Sequence, residues 1–326
     1  LSVDSDLPPA NREGVSDVAP FHDDLPERRW ELSAPESLVL LWGPETGDAW
    51  AVKVALLELI VRRVLRLATA EDRRFFLFSS YPHILAPGIR LDPSAGRPLR
   101  VPIEVYPKPR TYADGTFGVP VETLAQAVFT RNWRRVRARP WSVKLDRSGG
   151  GYVQAKVLPA LLDRGLFERD RSTHLGLLTT SRWVLTAAGS TALADLRALM
   201  ETGRRSFPAW LDHDPARART YVERARAALL LLGGWEPLLA RFRQGRPDGG
   251  DTGWRSTGPP SVDDRGFARA DRNWDTDPFT LDALAGCFGP GPLDTIDVAF
   301  HTISAGVDRA WDALHRRGGF LLAGGE

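Results

Sequence analysis

The segment Arg131-Asn132-Trp133-Arg134-Arg135-Val136-Arg137-Ala138-Arg139-Pro140-Trp141-Ser142-Val143-Lys144-Leu145-Asp146-Arg147 sets seven cations against one acid, a net +6 over 17 residues. Guanidinium groups meet phosphate oxygens as a planar fork. The interleaved Trp133 and Trp141 can stack on bases or lie in a lipid headgroup layer. The spacing therefore points to nucleic acid or an anionic membrane surface. The site residues it nominates are Arg131, Trp133, Arg134, Arg135, Arg137, Arg139, Trp141, Lys144 and Arg147, with Lys156 on the helix that follows. A plainer reading carries equal weight. The chain holds 39 Arg against 4 Lys, so arginine is abundant everywhere, and the segment is equally a solvated loop whose indoles cover the core.

Other chemistry is sparse. The six histidines, His22, His83, His174, His213, His301 and His315, stand singly, without the spacing of a metal cage. His213, between Asp212 and Asp214, reads as part of a polar turn before a helix cap. The single cysteine, Cys287, can close no internal disulfide, which fits a reducing cytoplasm. Gly149-Gly150-Gly151 and Gly233-Gly234 lack the preceding strand and the lysine of a phosphate loop. No nucleophile elbow occurs. No catalytic residue, metal or cofactor is nominated, and a non-enzymatic role is expected.

The elements that must position the basic segment follow from periodicity. At 326 residues and 36.0 kDa, with 43% hydrophobic residues and a formal net charge of only +2, the chain has the makings of a globular protein of about two domains. No apolar run approaches the ~18 residues of a bilayer span, and the first 30 residues are acidic and proline-rich where a secretory signal would be basic then apolar. Residues 1–30 form an arm. Ser33-Ala34-Pro35-Glu36 is a capping box opening a helix to Trp42. A second helix from Asp48 to Arg63 follows, with Val54, Leu57, Val61 and Val64 on a stripe widened by Leu56, Leu59 and Ile60. A hairpin is expected next, its strands at 64–67 and 74–78 around a polar turn at 69–72. Eight prolines between Pro82 and Pro120 mark a connector.

A second unit repeats the plan. Val121 to Arg131 is amphipathic, the basic segment is irregular, and a helix carries Val153, Val157, Leu158, Leu161 and Leu162, kinked by Pro159 and ended by Gly165 in the left-handed conformation. A second hairpin runs through 166–169 and 175–185, and Thr186 caps a helix to about Glu201. At an offset of 102, Leu59 to Arg66 falls on Leu161 to Glu168. Asp214-Pro215 opens a further helix to Leu232. A linker-like stretch precedes a last helix, Asp294 to Arg317, with Ile296, Phe300, Ile303, Val307 and Leu314 as a stripe that needs a partner, in this body or another.

The string Ala160-Leu161-Leu162-Asp163-Arg164-Gly165-Leu166-Phe167-Glu168, a hairpin, then Trp183-Val184-Leu185-Thr186-Ala187-Ala188-Gly189 resembles the recognition helix and wing of bacterial winged-helix domains. Residues 34–80 resemble the same unit, with Arg63 where the capping glycine falls. Similar tandem segments occur in uncharacterised proteins of GC-rich bacteria. A second resemblance is to the Golgi-phosphoprotein-3-like family. It is carried by Pro35-Glu36-Ser37-Leu38-Val39-Leu40-Leu41, Ala55-Leu56-Leu57-Glu58-Leu59, Leu162-Asp163-Arg164-Gly165-Leu166 and Leu175-Gly176-Leu177-Leu178-Thr179-Thr180. That family is mostly helical, with members that dock on phosphoinositide headgroups, and no site residue carries over from it.

The expected fold is mainly α with small β-hairpins (α+β): two winged-helix-like modules and a helical C-terminal region. The divisions are an arm at 1–30, a first module with connector at 31–110, a second at 111–203, a helical extension at 204–242, a linker at 243–280 and the C-terminal helix at 281–326. The expected function is a cytoplasmic binding or scaffold protein. Duplex DNA is its first candidate partner and another protein the second. The alternative is an adaptor on a phosphoinositide or other anionic lipid surface, and the third reading is an enzyme whose site does not show in sequence.

Overall fold

The computed structural model describes residues 29–62, 64–74, 78–88, 106–137, 151–174, 178–232 and 296–322. It is mostly helical with a small antiparallel sheet. The fold starts at helix α1 (Ala34–Trp42), whose capping box is formed: Ser33 N–H donates to Glu36 Oε2 at 2.8 Å, and Glu36 N–H donates to Ser33 Oγ at 3.4 Å. Gly43, at φ 89°, ends it in a conformation that favours glycine. Helix α2 (Asp48–Val61) is buried from Ala51 to Val61, Lys53 and Glu58 included. Its apolar residues are spread too widely for a surface helix, and other elements cover it all round.

Two β-ribbons follow two helix ends. Strand β1 (Leu65–Thr69) pairs with β4 (His83–Pro87), and β2 (Asp72–Arg74) with β3 (Phe78–Ser80). The partners run from Leu65 with Pro87, through Thr69 with His83 and Asp72 with Ser80, to Arg74 with Phe78. They descend in step, so this is one ribbon with a single register. The expected turn at 69–72 is therefore corrected: the strands run past it, and the chain reverses between Arg74 and Phe78. The proline-rich connector is also less separate than expected. It supplies β4, β5 (Arg110–Thr111) and β6 (Phe117–Pro120), giving a sheet of order β1-β4-β6-β5. The reason lies in Ile84, Leu85 and Ala86, three consecutive buried residues that no ribbon exposed on one face could satisfy. Gly118 lets β6 approach, since a Cβ there would meet the Leu85 carbonyl at 2.9 Å.

Helix α3 (Val121–Arg137) buries Val121, Leu124, Ala125, Val128 and Phe129. It continues to Arg137, so the first seven residues of the basic segment are helical where an irregular chain was expected. The next helix opens with a π-helical turn, Val153–Val157, and tightens into α4 (Leu158–Asp163). Pro159 has no N–H to donate and its ring crowds the preceding turn, so the widened turn takes the place of the expected kink. Gly165, at φ 70°, closes α4 as expected. Strands β7 (Phe167–His174) and β8 (Leu178–Leu185) make the second ribbon, in register from Phe167 with Leu185 to His174 with Leu178.

Thr186 Oγ1 caps α5 (Ala187–His213) by accepting Gly189 N–H at 2.9 Å. This helix runs well beyond the expected Glu201. Gly203 does not stop it because it serves as a close-packing position, where a Cβ would collide with the Tyr221 hydroxyl. Asp214 caps α6 (Pro215–Ala225), and Arg226, at φ 46°, turns the chain into a 3-10 helix, Arg226–Leu231, where a continuous helix was expected. The last helix, α7 (Ile296–Leu322), lies on α2 and α3 and buries Ala299, Ile303, Val307 and Ala310. One continuous cluster of buried residues joins α1 to α7, the α-helices of the described residues. Among the described residues no helix is long and apolar enough to cross a membrane.

Candidate functional site at the start of helix α2

The basic segment divides at the end of α3. Arg131 is exposed on the helix, two residues past the buried Phe129. Trp133, Arg134, Arg135 and Arg137 belong to the helix, though their side chains lie outside the described residues. Arg139, Trp141, Lys144 and Arg147 lie outside them altogether. Lys156 is half-buried in the π-helical turn. In the C-terminal stripe Ile303 and Val307 are buried, Phe300 and Leu314 are half-buried, and the Ile296 side chain lies outside the described residues.

The fold packs α3, which leads into the basic segment, against α7, which carries the C-terminal stripe. Phe129 of α3 meets Trp311 of α7 edge-on, with centroids 5.1 Å apart, and Arg309 Nε donates to Glu122 Oε2 at 3.2 Å. The chain re-enters the described structure at Gly151, which packs against the carboxylate of Asp48 so closely that no Cβ fits. Asp48 Oδ1 accepts Val153 N–H at 2.7 Å, so a residue in the first turn of α2 caps the next unit's helix. Burial pushes the Asp48 carboxyl above its ordinary range, and hydrogen bonds from the backbone of Val153 and Tyr152 pull it part of the way back.

Two residues after Asp48 stands Trp50. Its ring stacks on Phe300 of α7 at 6.1 Å and meets Trp42, the last residue of α1, edge-on at 5.9 Å. Trp42 is 54% exposed and Trp50 45%. Under this cluster Lys53 Nζ lies 4.8 Å from the Trp50 ring centroid and bonds both Asp308 oxygens, at 2.8 and 2.9 Å. Lys53 is nearly covered, so its charge is spent inside the fold by holding α7 to α2. What faces solvent is the indole surface of Trp42 and Trp50 together with the Asp308 carboxylate.

Sequence reasoning nominated Phe300 for the helix stripe and left out Trp42, Trp50, Asp48 and Gly151. The signal for Trp50 was present: it lies four residues before Val54 on the same helical stripe. Periodicity assigns a face but not where the core beneath that face ends.

A second cluster of charge sits at the other end of α2. Glu58, wholly buried, accepts from Ala34 N–H at 2.7 Å and from Arg62 Nε at 2.7 Å. Glu36 accepts Arg164 Nε at 3.2 Å. Burial raises Glu58, and Arg62 opposes that rise. Every polar atom named there is used to join α1, α2 and the end of α4, so the cluster is a structural clasp. Among the described residues no group of three or more His, Cys, Asp or Glu is placed to hold a metal ion.

No protein-family model, curated protein or solved structure matches this chain.

Proposed function

We propose that the chain is a non-enzymatic binding protein that docks on an anionic lipid surface through the basic segment 131–147, acting from the cytoplasm. The observation that carries the reading is the burial of α2 from Ala51 to Val61. In the winged-helix reading α2 is the first unit's recognition helix, and a helix that reads a DNA groove must present one long face to it. Here that face belongs to the core. The corresponding helix of the second unit, 152–163 with its π-helical turn included, buries Val153, Val157, Leu158 and Leu161. A basic run such as 131–147 reads phosphate without reading bases. A flat array of lipid phosphates suits it better than a groove, in line with the resemblance to the Golgi-phosphoprotein-3-like family.

The test is co-sedimentation of the full chain with phosphatidylcholine vesicles, with and without phosphatidylserine, beside a duplex DNA shift assay at matched low salt. Retention on the anionic vesicles alone, weakened by salt and by joint replacement of Arg131, Arg134 and Arg135 with Ala, is the expected result. Each cation near such a surface is worth about 1 kcal/mol. Tight DNA binding without vesicle retention would return the protein to the winged-helix, DNA-binding reading.

A further inference from the structure

We propose that Arg29, Arg62 and Arg226 form a binding site for a phosphate group. The three come from separate parts of the chain. Arg62 follows the last turn of α2, Arg226 stands between α6 and the 3-10 helix, and Arg29 is the first of the described residues. Two contacts bring them together. Trp30 N–H donates to Arg224 O at 2.7 Å, tying the 29–30 segment to the last turn of α6, and the 3-10 helix packs on both α1 and α2. The charges feel one another accordingly. Burial holds the Arg226 guanidinium below its usual range, Arg29 and Arg62 push it lower still, and Glu58 and Glu31 work against them. The site shares no residue with the lipid-docking reading and does not rest on it.

The clasp at this end of α2 accounts for one of these cations only. Glu58 Oε1 accepts from both Nε and an amino group of Arg62, each at 2.7 Å, while its other oxygen takes the Ala34 N–H. Arg29 and Arg226 stand beside that clasp, so three cations face two carboxylates, and one of the two, Glu31, is exposed. The backbone at Arg226 is an independent observation. Its φ of 46° and ψ of −124° are close to those a type II′ turn demands of its first central residue, where glycine is the usual choice. Arg226 is the one non-glycine residue at positive φ among the described residues. Strain of this kind costs stability and gathers at ligand-binding positions. Here it fixes a guanidinium, buried down to its Nε, beside two others. Guanidinium forks match phosphate oxygens, and a phosphate monoester at about −1.5 to −2 answers a cluster that its own carboxylates leave positive.

The experiment titrates the full chain with inorganic phosphate and with pyrophosphate, at an ionic strength held constant with chloride, and follows the phosphorus NMR line width and the melting temperature. Both should change in a saturable way with the phosphates and not with chloride. Arg226→Gly removes the cation and relieves the backbone, so it should raise the melting temperature of the free protein and weaken phosphate affinity by about tenfold or more. A residue serving the fold alone would not give that opposite pair of effects. Arg29→Ala, at an exposed position, should weaken affinity by about threefold and leave the melting temperature of the free protein unchanged. Absence of saturable binding to the parent protein overturns the site, as does an Arg226→Gly protein that binds phosphate as tightly as the parent. If Arg226→Gly lowers the melting temperature instead, Arg226 holds the fold, and unchanged affinity in Arg29→Ala then overturns the site. Vesicles of phosphatidylcholine with phosphatidic acid distinguish the sources of the phosphate. Retention that falls with Arg226→Gly assigns the site to a lipid headgroup, and retention that this variant leaves unchanged, or no retention of either protein, assigns it to a soluble phosphate ester.

Discussion

The ends of α2 and α4 are built alike and used differently. At both, the helix closes with the same backbone bonds at an offset of 102: Val64 N–H to Leu59 O and Leu166 N–H to Leu161 O, each 2.9 Å. Arg62 N–H reaches Glu58 O at 2.8 Å, as Arg164 N–H reaches Ala160 O at 3.2 Å. The strands then start in register, β1 at Leu65 and β7 at Phe167. At Gly165, a further bond to Leu162 O completes a Schellman closure. Beyond the closure the likeness stops. The first ribbon is widened by β6 and β5 into a four-stranded sheet beside a helix buried from Ala51 to Val61, whereas the second stays two-stranded after a helix, 152–163, that leaves Leu162 and Asp163 exposed. Local sequence writes the closure twice, and neighbouring elements decide which copy becomes core.

The cap arginines sharpen the contrast. Arg62 and Arg164 occupy equivalent positions, and each binds a carboxylate near the start of α1 or on α2. Glu58 has no exposure, whereas the Arg164 side chain is 43% exposed. Glu58→Ala strands the Ala34 N–H and the Arg62 guanidinium, and should cost about 3 to 5 kcal/mol in a urea-unfolding series. Arg164→Ala should cost less than about 1 kcal/mol. Equal losses would mean that the two units share the load equally.

Docking of α7 on α3 can be broken at Gly306. A Cβ there would lie 2.6 Å from Val121 Cγ1 and 2.9 Å from Val121 Cβ. Gly306→Val should therefore cost about 1 to 3 kcal/mol by overpacking and open residues 296–322 to limited proteolysis. A variant as resistant as the parent would show that the Lys53–Asp308 and Arg309–Glu122 pairs hold the helix without close packing.

Gly165→Ala should cost about 1 kcal/mol, because alanine at φ 70° is strained, and the loss should appear in the unfolding midpoint. Thr186→Ala, which removes the cap one residue after β8, should cost about the same.

The smallest effect concerns pH. Burial raises the Glu58 carboxyl above its unfolded value, so the folded state holds more protons than the unfolded state between the two values. Stability from this group therefore falls as pH rises from the unfolded value through the raised one, and is flat above it. Glu58→Gln keeps an acceptor for the Ala34 N–H and removes the titration. Unfolding free energies of the two proteins, measured from mildly acidic to neutral pH, should diverge in favour of the variant as pH rises. Parallel curves would remove Glu58 as a source of pH dependence.

The local signals were legible because each depends on a few adjacent residues. The Ser33–Glu36 box, the Thr186 and Asp214 caps and the left-handed Gly165 all formed where side-chain chemistry placed them. The ribbon starts followed from the change of apolar period after Leu59 and Leu161. What sequence alone left open depends on residues far apart in the chain. The pairing of β4 with β6 and the stacking of Trp50 on Phe300 join segments that no short-range pattern links. The same holds for the Asp48 cap of Val153 and the Lys53–Asp308 bridge. An apolar stripe states that a face wants cover, which is why Ile303 and Val307 could be nominated for a partner before α2 and α3 were known to be that partner. Which stripe residues the cover reaches, leaving Trp42 and Trp50 beyond it, is a matter of where three helices end in space, and only the tertiary structure decides it.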